Sequence, residues 1–298
     1  MKRTVILLLA FLSLSLSFSQ NINKEVVDAK GEPKLLGVVN KEGLTKANYA
    51  KWFNKNYSEY LVNDKVVNQL KDSIKGYTVK VFLGTWCGDS KRQVPRFYNI
   101  LEDMEFPESQ LEVIAVDKTE EAYKQSPTGE EKGLNIHRVP TFIFYKDGKE
   151  VNRIVEYPKE TLEKDMLKIV TTNKYTANYM AANYINTLID SNTLLALKLL
   201  ESTLVSRIAE FVKGSRELNT LGYMYLRSNQ MEKALYVFDL NTKIFPYKYN
   251  VYDSLGEAHF ENNNFVEALK HYNKVLELKP EDDNALAMIA KIKKKTEE

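Results

Sequence analysis

Val79-Lys80-Val81-Phe82-Leu83-Gly84-Thr85-Trp86-Cys87-Gly88-Asp89-Ser90 contains the only cysteine of the 298-residue chain. The apolar, β-branched run Val79 to Gly84 reads as a buried strand. Polar and basic residues follow the cysteine at helical spacing, so Cys87 sits at the first turn of a helix leaving that strand. Backbone N–H groups and the positive end of a helix dipole favour a thiolate, the nucleophilic form of cysteine. A second segment, Ile136-His137-Arg138-Val139-Pro140-Thr141-Phe142-Ile143-Phe144-Tyr145-Lys146-Asp147-Gly148-Lys149, places Val-Pro-Thr before an apolar strand and a hairpin turn.

Together the two segments resemble the thioredoxin superfamily, through Trp86-Cys87-Gly88 and Val139-Pro140-Thr141. The likeness spans residues 33–172 and implies an α/β thioredoxin-like domain. It also implies a cis bond before Pro140, Val139 backbone groups that bind an extended substrate, and Trp86 covering the thiol. The family's second cysteine is replaced by Ser90, expected to donate a hydrogen bond to the thiolate. Val81 stands where the family carries a buried aspartate. Both losses fall on the half-reaction in which a second thiol resolves a mixed disulfide. Asp89 adds a negative charge beside the thiol, and His137, Lys91 and Arg92 are surface candidates to offset it.

Around these segments the pattern is strand at Leu35–Asn40, helices at Thr45–Leu61 and Val66–Ile74, and a helix from Lys91 to Met104 broken near Pro95. A strand at Leu111–Val116, a hairpin of Thr141–Tyr145 with Val151–Val155, and an amphipathic helix at Thr161–Thr171 complete the domain. Residues 20–32 are polar without a period and read as a flexible lead-in. From Tyr175 onward everything reads helical. Leu218, Leu221, Gly222, Tyr225, Ala234, Phe238 and Pro246 recur 34 residues later as Tyr252, Leu255, Gly256, His259, Ala268, Tyr272 and Pro280. That period resembles the tetratricopeptide repeat, in which small residues let paired helices approach and aromatics fill the gap. The all-α part is thus a divergent helical hairpin at 175–212, then two repeats and a capping helix at 215–298. The stretch Phe245–Ala258 also resembles repeat tails of exported serine hydrolases, but the chain has no Gly-x-Ser-x-Gly and no suitably placed Ser-x-x-Lys.

The composition, 44% apolar with a net charge of +2, is that of a globular protein with two cores and gives no reason to expect nucleic acid. The basic run Lys291–Lys295 reads as a solvated helix end. Lys2 and Arg3 precede an uncharged run, and Ser17 and Ser19 form a small-x-small site, the pattern of a signal peptide at residues 1–19. Export to the periplasm, or beyond it, is the expectation, without stable membrane insertion or a lipid anchor. One cysteine in such a compartment cannot form an internal disulfide, so it is either a reactive thiol or an inert buried one. The three histidines, His137, His259 and His271, lie on unrelated segments, and neither metal nor cofactor is expected.

The leading expectation is monothiol thiol-disulfide exchange with Cys87 and Ser90 as catalytic residues and Trp86, Val139 and Pro140 binding substrate. Its partners would be thiol- or disulfide-containing proteins or small thiols, with a protein held by the repeats. The alternative is a peptide-binding module with a vestigial site. A peroxidase ranks below both, because no Pro-x-x-x-Thr-x-x-Cys pattern precedes the thiol.

Overall fold

The computed structural model describes residues 22–172 and 174–297; the signal-peptide pattern at 1–19 lies outside them. Six strands form one sheet: β1 (Lys24–Val27), β2 (Pro33–Val39), β3 (Tyr77–Leu83), β4 (Leu111–Ala115), β5 (Thr141–Lys146) and β6 (Lys149–Val155). Their order is β1-β2-β4-β3-β5-β6, with β3 and β4 parallel and the other neighbours antiparallel. Helices α1 (Lys41–Leu44), α2 (Ala47–Ser58), α3 (Asp64–Ser73), α4 (Gly88–Asp103) and α5 (Leu162–Thr171) accompany it.

Period-two alternation sorts the strand residues onto two faces. Val79, Val81, Leu83, Val113, Phe142 and Phe144 pack with Phe53 of α2, Leu70 of α3, Phe97 of α4 and Met166 of α5. Phe82, Ile114 and Ile143 point the other way, onto Ile136 and Val139. That second face is covered by the irregular segment 117–139 rather than by a helix. Trp86 and Cys87 border this smaller cluster, which puts the thiol at the rim of the sheet.

Two expectations need correction here. The lead-in at 20–32 contains β1, which pairs with Pro33–Leu36. Asp28 closes the turn between them, its Oδ1 accepting from the N–H groups of Lys30 at 2.9 Å and Glu32 at 3.0 Å. Four mostly exposed residues carry no hydrophobic period, so the strand leaves no pattern to read. The helix after Cys87 is also unbroken. It starts at Gly88 and runs through Pro95, which removes one N–H from the ladder. Burial of Val94, Phe97, Ile100 and Leu101 on the core holds it.

The second half is all helix: α6 (Met180–Ser191), α7 (Leu194–Leu199), α8 (Glu201–Ala209), α9 (Ser215–Arg227), α10 (Met231–Ile244), α11 (Tyr249–Glu261), α12 (Phe265–Leu278) and α13 (Asp283–Glu297). The segment expected as a hairpin has three helices, because α7 and α8 are separated at Leu200. Glu217 of α9 is buried and accepts from the N–H groups of Ala181 at 2.7 Å and Ala182 at 3.2 Å, capping α6. The apolar cores of the two halves are distinct, and Tyr179 lies at the edge of both. Polar bonds cross between them: Asn135 donates to Asp190 at 3.2 Å, Gln125 to the Arg227 carbonyl at 2.6 Å, and Arg227 pairs with Glu120 at 2.9 Å.

The two repeat glycines are not equivalent. A Cβ on Gly222 would lie 2.4 Å from the Phe238 ring, whereas one on Gly256 would lie 3.2 Å from Tyr272. Phe238 is fully buried and has nowhere to go. Gly222→Ala is therefore expected to destabilise the helical half by roughly 1–3 kcal/mol through overpacking. In Gly256→Ala the gain in helix propensity, up to about 1 kcal/mol, offsets a milder contact. Denaturant melts of the two variants should show this inequality; equal losses would mean the contact at Gly222 relaxes.

Candidate functional site

Cys87 is the N-cap residue of α4, with extended backbone at φ −89° and ψ 127°. The sixteen-residue helix directs its first N–H groups and its dipole at this end. The thiol is half-buried, and Sγ lies 3.3 Å from the Val139 carbonyl oxygen, to which it donates. The Val139–Pro140 bond is cis. Cys87, Val139 and Pro140, distant in sequence, thus meet beyond the end of β3 and the start of β5, two interior strands of the sheet.

Trp86 donates from Nε1 to the Val116 carbonyl at 2.9 Å, which fixes the indole at the end of β4. It crosses over Gly84, where a Cβ would come within 2.4 Å of the indole ring. Gly84 is a site residue that sequence reasoning passed over; only the lack of a side chain admits the tryptophan. Thr85 is also structural, its Oγ1 accepting from the Leu35 N–H at 3.1 Å and tying β2 to the loop.

Ser90 has a different role from the one expected. It is fully buried, and its Oγ accepts from the Gly84 N–H at 3.1 Å. Among the described residues it makes no hydrogen bond to Cys87 Sγ. Its hydroxyl satisfies the amide at the end of β3, which burial would otherwise leave without a partner.

The charges around the thiol come from several segments. Asp89 pairs with Arg92 at 2.6 Å on the same helix face, so its charge is answered locally. His137 is not a surface group: it is buried, with its ring edge-on to Tyr179 at 5.9 Å. Burial pushes the imidazole down to about 3. Nδ1 lies 3.2 Å from the Asn135 carbonyl, so the neutral ring carries its proton there and supplies no positive charge to the site.

The buried basic residue of the segment that covers this face of the sheet is Lys124. It is buried in the segment 117–139 and donates to the Tyr123 hydroxyl, with Nζ 3.6 Å from that ring's centre. Burial, reinforced by Arg138, drives Lys124 down to about 7, while Cys87 and Glu156 pull it back up. Arg138 pairs with Glu156 at 3.3 Å, stacks over Tyr179 at 4.7 Å, and donates to the Arg216 carbonyl of the helical half at 3.4 Å. Tyr179 donates to the same Glu156. Burial holds the Glu156 carboxyl above the ordinary range. Arg138 comes with the Val139-Pro140 segment, whereas no local motif flags Lys124 and only the tertiary fold brings it here.

Tyr123 and Lys124 also line a cleft of about 460 Å³ whose far wall is Met224, Ser228, Asn229 and Gln230 of the helical half. Among the described residues, two clusters could supply three metal-ligating atoms, and neither includes Cys87. One is Glu120, Glu257 and Glu261, where Arg227 already pairs with all three carboxylates. The other joins His259 and His271, which do not lie apart as their segments suggested.

Comparison with known proteins agrees with this geometry. A family model described as thioredoxin matches residues 41–171, and one for the tetratricopeptide repeat matches residues 249–282. A thioredoxin from Geodia cydonium is 30% identical over 99 residues, 33% of this chain and 84% of its own length. A thioredoxin from Aspergillus fumigatus is 29% identical over 105 residues, 35% of this chain and 88% of its own. Thioredoxin H2 of Arabidopsis thaliana is 28% identical over 102 residues, 34% of this chain and 68% of its own.

Lys124→Met tests the electrostatics. The folded chain sheds this proton at about 7, well below the ordinary 10.5. The penalty for burying the ammonium is therefore complete below pH 7 and fades as pH rises toward 10.5. The stability gained by Lys124→Met should be largest in acid and shrink by pH 9–10. Urea melts of both proteins across pH 6–10 read this directly; a gain that does not change with pH would mean that Lys124 is not held as a buried ammonium.

Proposed function

The chain belongs to the thioredoxin family and also carries a tetratricopeptide repeat, and from that premise we propose that it performs monothiol thiol-disulfide exchange through Cys87. The thiolate attacks one sulfur of a partner's disulfide, forming a mixed disulfide and releasing the other sulfur as a thiolate that takes up a proton. An external thiol then attacks the mixed disulfide. Attack falls on the partner's sulfur, Cys87 leaves as a thiolate, and the external thiol, having lost its proton, ends bonded to the partner's sulfur in a new disulfide. The observation that carries this reading is the fully buried Ser90, whose hydroxyl is engaged with Gly84 at the position where the family holds its resolving thiol. Val81, packed in the apolar core, offers no proton acceptor either.

Val139 and Pro140 form the substrate-facing edge in this proposal. An extended polypeptide would displace the Cys87 thiol from the Val139 carbonyl and bond to that backbone as an added strand. Trp86, fixed by Val116, limits approach from the side. The helical half supplies protein binding, the usual work of such repeats. Export belongs to the same proposal and rests on the pattern at residues 1–19; the mature chain would begin at Gln20. Intact mass of the secreted protein tests that point, and an unprocessed N-terminus would exclude it.

Exposure to a small-molecule disulfide should add one covalent adduct per chain, at Cys87, and the adduct should persist until an external thiol is supplied. Mass spectrometry of the native and Cys87→Ser proteins reads this directly. Ser90→Cys should form an internal disulfide and raise insulin reduction, coupled to a chemical reductant, above the native rate. A native protein that takes up no adduct, or a folded and oxidisable Ser90→Cys variant with no gain, would favour a peptide-binding module with a vestigial site.

A further inference from the structure

The second repeat brings His259 of α11 against Glu267 and His271 of α12. One ligating atom from each lies within 4.8 Å of the other two. The imidazole rings are nearly parallel, with centres 5.3 Å apart and an interplanar angle of 8°. The Tyr252 ring also stacks with His271, with centres 6.3 Å apart. Among the described residues, His259 Nδ1 is buried without a hydrogen-bond partner. His271 Nε2 faces the Glu267 carboxylate at 3.8 Å, too far for a hydrogen bond.

The first repeat serves as an internal control. Tyr225, Lys233 and Val237 occupy the same three positions, each 34 residues earlier. There the chain supplies its own cation, with Lys233 Nζ 5.4 Å from the Tyr225 ring centre. The repeat fold therefore has no packing need for two histidines and a glutamate at these places. The second repeat removes the lysine and installs three groups with lone pairs. The acidic cluster around Arg227 shows the contrast, because its cation is built in.

We infer that His259, Glu267 and His271 form a binding site for a divalent first-row transition ion such as zinc. Two imidazoles and one carboxylate suit zinc, copper and nickel better than magnesium or calcium. Ligand atoms around tetrahedral zinc stand roughly 3.3 Å apart, as bond lengths of 2.0–2.1 Å require. The separation here closes by side-chain rotation, Glu267 and His271 being one helical turn apart. Lys270 donates to Glu267 Oε2 at 2.9 Å and is exposed, so it can swing away. Bound metal would tie α11 to α12 and leave a coordination position for solvent or a partner's side chain. This site is independent of the chemistry at Cys87.

The test uses the mature chain without a histidine tag, in a Cys87→Ser background that removes the thiol as a ligand. Calorimetric titration with zinc should give one ion per chain with micromolar or tighter affinity, and zinc should raise Tm. Combining His259→Tyr, Glu267→Lys and His271→Val installs the residues of the first repeat, and should weaken zinc binding at least tenfold and abolish the rise in Tm. Circular dichroism checks that this variant folds; Glu267→Gln and His271→Gln, singly, serve if it does not. Millimolar affinity in the parent, or undiminished binding in folded variants, would overturn the inference.

Discussion

The hydrogen bond from the Gly84 N–H to Ser90 Oγ is the contact on which the candidate site depends. A buried amide at the end of a strand must find an acceptor, or it costs on the order of 1–3 kcal/mol. Ser90 supplies one from the first turn of α4, so the strand-to-helix turn closes at a fixed angle. That closure places Cys87 at the helix N-cap and turns Trp86 across the bare Cα of Gly84. The indole then reaches Val116 at the end of β4, and Thr85 reaches β2. A thiol at position 90 would be a weaker acceptor. The residue that separates this chain from a dithiol thioredoxin thus also holds the turn together.

What could be read from sequence follows from where the information lies. β3 and β4 were legible because their β-branched and aromatic residues cluster in short bounded segments, and the repeats because a period of 34 residues is visible without any tertiary knowledge. Cys87 and Pro140 were legible through motifs. β1 was not, since exposed residues leave no period and its partner is chosen by the Asp28 turn. His137 read as a surface group because nothing local distinguishes a histidine covered by Tyr179 from a solvated one. Ser90 was identified at the right place with the wrong bond, because burial decides whether a hydroxyl faces the thiol or the backbone. His259 and His271 lie on different helices, and the repeat template presents their positions as packing sites.

The charges on the thiol's side of the sheet divide into near and far groups with different origins. The near part is the helix itself, with the Asp89–Arg92 pair cancelling on its surface. The far part is Lys124, Arg138 and Glu156, contributed by the irregular segment over the second sheet face and by the end of β6. Low dielectric couples the far groups to one another, because buried charges are screened far less than surface ones.

Arg138 joins this electrostatic field to the architecture of the whole chain. Its guanidinium is held by Glu156 from the thioredoxin-like half, by the Tyr179 ring at the junction, and by the Arg216 carbonyl at the start of α9. Tyr179 in turn hydrogen-bonds Glu156 and touches both apolar cores. Each half buries its own apolar residues, whereas the polar cluster around Arg138 draws on both. Separate cores thus share a polar junction that ties the segment before Pro140 to the start of α9, while the sheet that carries the thiol is packed by its own core.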